Sequence, residues 1–463
     1  MFSLDAEDPR DARPFLKEGG VSYSYSQVFS YGDSIFSGCS RALCIIFCKK
    51  DLATVAAYIG CLRANIVPLL IDADAKRHWK TRLVEKYDPQ YLFGGLDLAD
   101  LFPDYEKKTD FHDSVLLASQ AGSKTILHPN LAVLLPTSGS TGDPKCVRFS
   151  KKNIEACTRS ICEYLSLEEH SVSISLLPVH YSYGLSVLHN CIYKRARYVI
   201  TELSVIDRDF WRLVETEKVT DISGVPFTYE AMSRMKPGND QLKTLRRMTQ
   251  AGGFLREDIT QRMRKICVEN GVRYYTMYGQ TEASPRIAYL DPEHAEEKSG
   301  TVGVPISCGE AIIAETGGRS GRGELLYRGP NVALGYALCA ADLQRGDDFN
   351  GSLMTGDIVE IDPDGFITIL GRKKRMIKMS GITFSLDQIE QELALQGFNC
   401  AAIGVDEELT LVTERAEVEL LRALVTKEFG LRGRQVAAIQ VPTLPKNGSG
   451  KIDYHLLSNE YLR

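Results

Sequence analysis

Short apolar runs alternate with segments of helical period along the first half of the chain. Leu43–Phe47, Val67–Ile71, Leu131–Leu135, Val172–Leu177, Tyr198–Thr201 and Asp221–Gly224 have the length and composition of buried strands. Leu52–Ala64 and Ile154–Tyr164 repeat apolar residues at helical spacing, and Asn65 stands where a left-handed cap closes the first of these helices. Strands that alternate with helices form largely parallel sheets with helices on their faces. After Gly300 the pattern changes to short strands, Ala311–Ala314, Gly323–Tyr327, Asp357–Ile361 and Phe366–Leu370, separated by Gly, Pro and Asp turns. The Gly-rich stretch Glu315–Gly323 lies between hairpin-type strands and reads as a turn, not a dinucleotide loop. From Gly371 the chain turns basic, and two helices follow, one with Leu386, Ile389 and Leu393 on a face, the other with Val418, Leu421, Val425 and Phe429. The expected fold class is α/β. A large N-terminal domain, 1–371, holds two α/β subdomains and a small β-subdomain. A small mobile α+β C-terminal lid, 372–463, follows, with its hinge near Lys374.

Size and charge narrow the function classes. A chain of 463 residues exceeds one ordinary core. Lys and Arg number 55 against 60 Asp and Glu, for a formal charge of −5, which gives no reason to expect nucleic acid or an anionic membrane as partner. Met1–Pro14 has no signal-peptide core, and the apolar runs fall far short of a bilayer span, so the expected location is cytoplasmic. The 12 cysteines are scattered in apolar stretches, as buried thiols in a reducing compartment would be. Cys39, Cys44, Cys48 and Cys61 lack zinc-ribbon spacing and read as core thiols.

The strongest chemical signal is Leu134-Leu135-Pro136-Thr137-Ser138-Gly139-Ser140-Thr141-Gly142-Asp143-Pro144-Lys145. It follows an apolar strand. Its glycines let backbone N–H groups approach an anion, its hydroxyls add neutral donors, and Lys145 adds a point charge. Cys146 follows Lys145 where a Walker A loop needs Ser or Thr, so this is a polyphosphate loop of another kind.

Taken with five further motifs, this loop resembles the acyl-adenylate-forming superfamily: acyl- and aryl-CoA synthetases, adenylation domains of nonribosomal peptide synthesis, and luciferases. The motifs are Tyr278-Gly279-Gln280-Thr281-Glu282; Gly323-Glu324-Leu325 with Gly329-Pro330; Thr355-Gly356-Asp357; Gly371-Arg372-Lys373-Lys374 with Lys378-Met379-Ser380-Gly381; and Leu444-Pro445-Lys446-Asn447-Gly448-Ser449-Gly450-Lys451-Ile452. They run nearly end to end, in order.

The resemblance implies ATP and Mg²⁺ as cosubstrate and metal, and it implies residue roles. Thr137, Ser138, Gly139, Ser140, Thr141, Gly142 and Lys145 would cradle the phosphates. Thr281 would bind the α-phosphate and Glu282 would ligate Mg²⁺. Tyr278 would stack on adenine beside Gly252 and Gly253. Asp357 would accept both ribose hydroxyls, supported by Arg372. Lys451 would bridge the substrate carboxylate and the α-phosphate. Lys374 would be the hinge about which the lid turns, withdrawing Lys451 and bringing Ser380 and Gly381 to a thiol channel. The chemistry agrees. A carboxylate attacking a phosphate brings two anions together, and a lysine and a divalent cation offset their repulsion.

The acid pocket would be opened by Pro178–Ser186, with His180, Tyr181, Ser182, Tyr183 and Gly253 as its lining. Ser182 stands where amino-acid-activating members carry an aspartate, which disfavours an ordinary α-amino acid. His180 lies one residue before the histidine position of many acyl-activating members, so it is either a pocket residue or a histidine packed under the strand end. Tyr181, Tyr183 and Phe254 suggest an aromatic lining for an aryl or small hydrophobic acid. The expected reaction is acyl-AMP formation, then transfer to coenzyme A or to phosphopantetheine on a separate carrier protein. The alternatives are transfer to an amine, a catalytically silent nucleotide-binding regulator and a luciferase-type oxygenase.

Overall fold

The structure, a computed structural model, describes residues 11–462 apart from 138–144, 236, 316, 381 and 447–451. Two large sheets carry the N-terminal part. The first has eight strands. Its centre is parallel: Tyr91–Gly95, Leu43–Cys48, Val67–Asp72 and Leu131–Thr137 lie side by side in that order. Leu43–Cys48 is buried at every position, as a parallel strand covered on both faces must be. The helix Leu52–Arg63 packs against it and is buried from Leu52 to Leu62. An apolar surface all round suits a helix inside a core, not an amphipathic one. Asp51 caps its start through Thr54 N at 2.8 Å, and Asn65 ends it at φ 56°, as its sequence position predicts. Against it lies the helix Tyr25–Ile35. The two backbones meet at Gly32 and Gly60, where a Cβ on Gly60 would stand 2.4 Å from the Gly32 carbonyl oxygen.

The second sheet has nine strands in the order Val304–Pro305, Ala288–Leu290, Arg273–Tyr278, Arg247–Gln250, Asp221–Gly224, Val172–Ile174, Arg197–Val199, Pro14–Glu18 and Val21–Ser24. Arg273–Tyr278 through Pro14–Glu18 run parallel. The expected strands Val172–Leu177 and Tyr198–Thr201 end earlier, at Ile174 and Val199, because the chain there bends into loops.

After Gly300 four antiparallel strands form the expected β-subdomain: Glu310–Ile313, Gly321–Arg328, Ser352–Ile361 and Ile367–Arg372. The C-terminal part is α+β. It has a hairpin, Met376–Met379 with Ile382–Ser385, and a three-stranded sheet, Cys400–Val405, Glu408–Thr413 and Val436–Gln440. The helices Leu386–Leu395, Val418–Glu428 and Tyr454–Tyr461 accompany these strands. Leu386, Ile389, Leu393, Leu421 and Val425 are buried in its core. Among the described residues no helix is long and apolar enough to cross a membrane.

Candidate active site

Three parallel strands of the second sheet deliver their loops to one edge. Val172–Ile174 leads to Pro178–Tyr183, Arg247–Gln250 to Gly252 and Gly253, and Arg273–Tyr278 to Gly279–Glu282. Ligands of parallel α/β sheets gather beyond such carboxyl ends. The loops touch. Gly252 has φ +85°, and a Cβ there would lie 2.5 Å from the Tyr181 hydroxyl, so only glycine lets that hydroxyl meet the backbone. Ser182 Oγ lies 3.1 Å from Thr281 Oγ1, tying the acid segment to the Thr281 motif.

The β-subdomain supplies a carboxylate to the same edge. Asp357 pairs across its ladder with Arg372, whose Nε stands 2.8 Å from Asp357 Oδ1. The Tyr278 hydroxyl donates to Asp357 Oδ2. Asp357 is 2% exposed, and burial raises its carboxyl above the usual range, while Arg372 and Tyr278 pull it back. The Gln280 side chain reaches the Thr355 carbonyl at 3.3 Å, which fixes the loop after Tyr278 to the Thr355–Asp357 turn.

Thr137 and Lys145 face each other as the last pair of an antiparallel ladder, with Thr137 Oγ1 donating to the Lys145 carbonyl at 3.3 Å. Ser138, Gly139, Ser140, Thr141 and Gly142 between them lie outside the described residues, as do Gly381 and Lys451. Lys145 Nζ sits 3.5 Å from the centroid of the Tyr336 ring, and the Tyr336 hydroxyl donates to Glu282 Oε1 at 2.6 Å. Burial lowers the Lys145 pKa, Glu282 opposes that, and the charge on Lys374 adds to it. Burial and the Glu282 carboxylate both push the Tyr336 phenol upward, so it stays a donor.

These residues fit a hard divalent cation. Glu282 is a carboxylate that accepts from the Tyr336 hydroxyl, on whose ring Lys145 rests. One such carboxylate suits Mg²⁺, which takes one or two and fills its shell with phosphate and water. Cys44, Cys48 and Cys61 are buried free thiols and Cys39 is partly buried. Burial pushes the Cys146 thiol up to about 12, which leaves it inert as a nucleophile.

The acid side differs in part from expectation. Tyr181 and Tyr183 meet edge to face at 6.4 Å. The Tyr183 hydroxyl bonds Thr249 Oγ1 at 2.7 Å, and Thr249 Oγ1 meets Ser223 Oγ at 2.9 Å, so polar groups end this lining. Phe254 is 59% exposed, because the chain leaves the site after Gly253. His180 points to the end of the strand Val67–Asp72. Its Nε2 is 3.9 Å from Asp72, and its Nδ1 has no hydrogen-bond partner among the described residues. Burial lowers its pKa despite Asp72 and Asp74.

At the start of the C-terminal part, Lys374 lies in the turn Lys373–Arg375, and Lys373 pairs with Glu324 at 2.6 Å. Arg375 is locked between Asp387 at 2.5 Å and Glu390 at 2.7 Å. Ser380 has φ +51°, and its N–H donates to Glu407 Oε1 at 2.8 Å.

Two residues of this region escape a reading of the sequence. Tyr336 lies on the three-residue strand Gly335–Ala337, which returns from the β-subdomain to pair with Lys145–Ser150. Buried Arg148 pins that strand, donating to the Tyr336 carbonyl 188 residues away at 3.1 Å. Arg286 lies four residues beyond the Tyr278–Glu282 motif; a charge just ahead of the apolar run Ile287–Leu290 is the only trace it leaves in the sequence.

A buried carboxylate held by Arg372 and Tyr278, with Tyr336 joining Lys145 to Glu282 nearby, is an arrangement suited to a nucleotide. The chain belongs to the AMP-binding enzyme family, whose model matches residues 13–337. It is an AMP-forming ligase of carboxylic acids. It is 27% identical over 344 residues to a feruloyl-CoA synthase of an Amycolatopsis species, covering 70% of this chain and 68% of that one. It is 26% identical over 443 residues to a 2-succinylbenzoate–CoA ligase of Staphylococcus epidermidis, covering 90% and 88%. Its fold matches the o-succinylbenzoate CoA synthetase of Bacillus subtilis in complex with its acyl-adenylate intermediate, with a TM-score of 0.77 at 20% identity, over 97% of this chain and 96% of that one.

Proposed function

We propose that this ligase activates an aryl acid and that its acceptor is free coenzyme A. The observation that carries the residue assignment is the junction of Asp357, Arg372 and Tyr278 with the Thr281–Glu282–Tyr336–Lys145 cluster. Asp357, already accepting two donors, exchanges them for the two ribose hydroxyls; only a carboxylate can accept both at once. Lys145 leaves the Tyr336 ring for the phosphates. Thr281, held by Ser182, donates to the α-phosphate next to the acid segment. Lys451 bridges that phosphate and the attacking carboxylate. Bound Mg²⁺ on Glu282 supplies positive charge against the phosphates. The lid beginning at Arg372 then turns about Lys374, removes Lys451 and presents Ser380 and Gly381 to the thiol. The two curated relatives described above are named for feruloyl and succinylbenzoate, which supports an aryl acid. Tyr181 and Tyr183 suit such a ring.

The test is pyrophosphate release from Mg-ATP across aryl, short-chain, fatty and amino acids without acceptor, followed by addition of coenzyme A. Release with aryl acids and thioester formation with coenzyme A support the reading. Release that leads to thioester only on an added carrier protein overturns the acceptor. ATP binding without release for any acid overturns the activity.

A further inference from the structure

Arg148 and Arg286 are almost completely buried in the N-terminal part. The C-terminal part encloses a cation as well: the Arg375 side chain is 14% exposed. All three of its nitrogens are used. Nε meets Asp387 Oδ1 at 2.5 Å, one terminal nitrogen meets Glu390 Oε1 at 2.7 Å, and the other donates to the Ala402 carbonyl at 3.3 Å. The Tyr454 ring covers the guanidinium, with its centroid 3.7 Å from the central carbon. The Tyr454 hydroxyl closes the circle by donating to Glu390 Oε2 at 2.7 Å. Burial and the Glu390 carboxylate push this phenol upward, so it stays a donor. Glu390 thus takes Arg375 on one oxygen and Tyr454 on the other, and its first oxygen also accepts the Ala402 N–H at 2.7 Å. A buried ion pair adds little net stability over apolar residues of the same volume, so a network this complete points to the geometry it fixes.

The network joins two distant places of the chain. Arg375 follows Lys374 in the turn Lys373–Arg375. Before Lys374, the Arg372 and Lys373 side chains pair with Asp357 and Glu324, both on the β-subdomain. After it, Arg375 is held by the helix Leu386–Leu395, whose Asp387 also accepts the Arg372 N–H at 2.8 Å. Tyr454 opens the helix Tyr454–Tyr461 and stands three residues beyond Lys451. The segment that carries Lys451 is closed just before that helix. Lys446 and Ile452 form an antiparallel bridge, and the Asp453 N–H donates to the Pro445 carbonyl at 2.8 Å. Asp453 also caps the helix, accepting from Leu456 N at 3.0 Å, and Leu457 buries the helix against Ala401 and Ile403. A continuous path therefore runs from the turn at Lys374 through Arg375, Glu390 and Tyr454 to the base of the Lys451 segment. The Ser380 side of the lid is held by other residues, Glu407 and Gln435.

We propose that Tyr454 is a positioning residue: with Glu390 and Arg375 it fixes the base of the Lys451 segment relative to the hinge, and it serves acyl-AMP formation through Lys451 alone. The inference rests on reading Lys451 as the lysine of that half-reaction. Its test is a double-mutant cycle on the whole chain, with the aryl acid that the wild-type protein activates fastest. Acyl-AMP formation, and thiol transfer from supplied acyl-adenylate, are followed separately by rapid quench in wild type, Y454F, K451A and the double variant. Tyr454→Phe keeps the ring on Arg375 and removes only the donor to Glu390. It is expected to slow acyl-AMP formation by about 10-fold and to leave thiol transfer within about twofold, since displacing a reacting group by about 1 Å costs up to about 10²-fold. Added to K451A it is expected to cost nothing further, because a residue that acts through another has no effect once that other is gone. An unchanged rate in Y454F beside a slow K451A overturns this inference alone. So does equal loss in both half-reactions, or a double variant slower than K451A by the full Y454F factor; either marks a residue that only holds the lid together. A K451A protein that forms acyl-AMP at the wild-type rate sinks the reading of Lys451, and this inference with it.

Discussion

The nucleotide side and the acid side of the site are built on opposite principles. Around Asp357 and Glu282 the main charged groups among the described residues already have partners: Arg372 and Tyr278 on one carboxylate, Tyr336 on the other, and an aromatic face under Lys145. On the acid side Arg286 Nε and His180 Nδ1 lack hydrogen-bond partners among the described residues. A preorganised, internally paired half holds its geometry without ligand, which is what charge stabilisation in a transition state requires. A half with unmet polar groups discriminates, because a wrong ligand leaves them unmet. Stability and chemistry thus lie on one side, and specificity on the other.

The sharpest break of this comparison is on the catalytic lysine. Lys451→Ala is expected to slow acyl-AMP formation by about 10²–10³-fold, the usual loss for one donor aimed at developing charge. Thiol transfer from supplied acyl-adenylate should continue at nearly the wild-type rate, and rapid-quench measurement of the two half-reactions checks this. Equal loss in both would overturn the turning lid. Next in size is Asp357→Ala. Losing two hydrogen bonds to a charged acceptor, each worth about 1.5–3 kcal/mol, should weaken ATP binding by at least about 10²-fold. The affinity for the acid should change far less, and calorimetry with each ligand separately tests the division between the two halves.

A smaller effect tests the paired half from within. Tyr336→Phe keeps the ring under Lys145 and removes only the donor to Glu282. The loss of one hydrogen bond, about 0.5–1.5 kcal/mol, should raise the Mg²⁺ concentration for half-maximal pyrophosphate release by about 2–10-fold. An unchanged Mg²⁺ dependence would remove Tyr336 from the metal side of the site.

What could be read from the sequence follows the same division. The parallel strands, the helix ending at Asn65 and the β-subdomain are local patterns, and each was legible because burial on one or two faces fixes the residue types over several successive positions. Asp357 and Arg372 were legible as motif residues, and their antiparallel register then sets them face to face. Three features were not legible. The strand Pro14–Glu18 completes the second sheet by pairing with Arg197–Val199, and its short run carries no clear period. Tyr336 reaches Lys145 only through a three-residue strand whose partner is distant in the chain. Arg286 looks like a surface charge until its burial is known. Phe254 went the other way: residue type suggested a pocket, and the path of the backbone turned it outward; His180, open between pocket and strand end in the sequence, lies at the strand end towards Asp72.

The smallest expected effect concerns pH and Lys145. Its ammonium is disfavoured by burial and by Lys374, and Glu282 does not fully restore it, so its pKa lies below the ordinary lysine value of 10.5. The kcat/KM for ATP reports ionisations of the free enzyme. As pH rises through the lowered pKa, Lys145 loses its charge and ATP capture falls, so the alkaline limb should begin below the usual lysine range. Lys145→Arg keeps a positive charge throughout, because a guanidinium does not titrate there. Its rate at neutral pH should drop, since a planar fork does not match a point charge resting on Tyr336, yet its alkaline limb should move to higher pH. If wild type and K145R share the same limb, the titrating group is another one. The nucleotide half would then be less fully paired than its geometry indicates, and the contrast with the acid half would narrow.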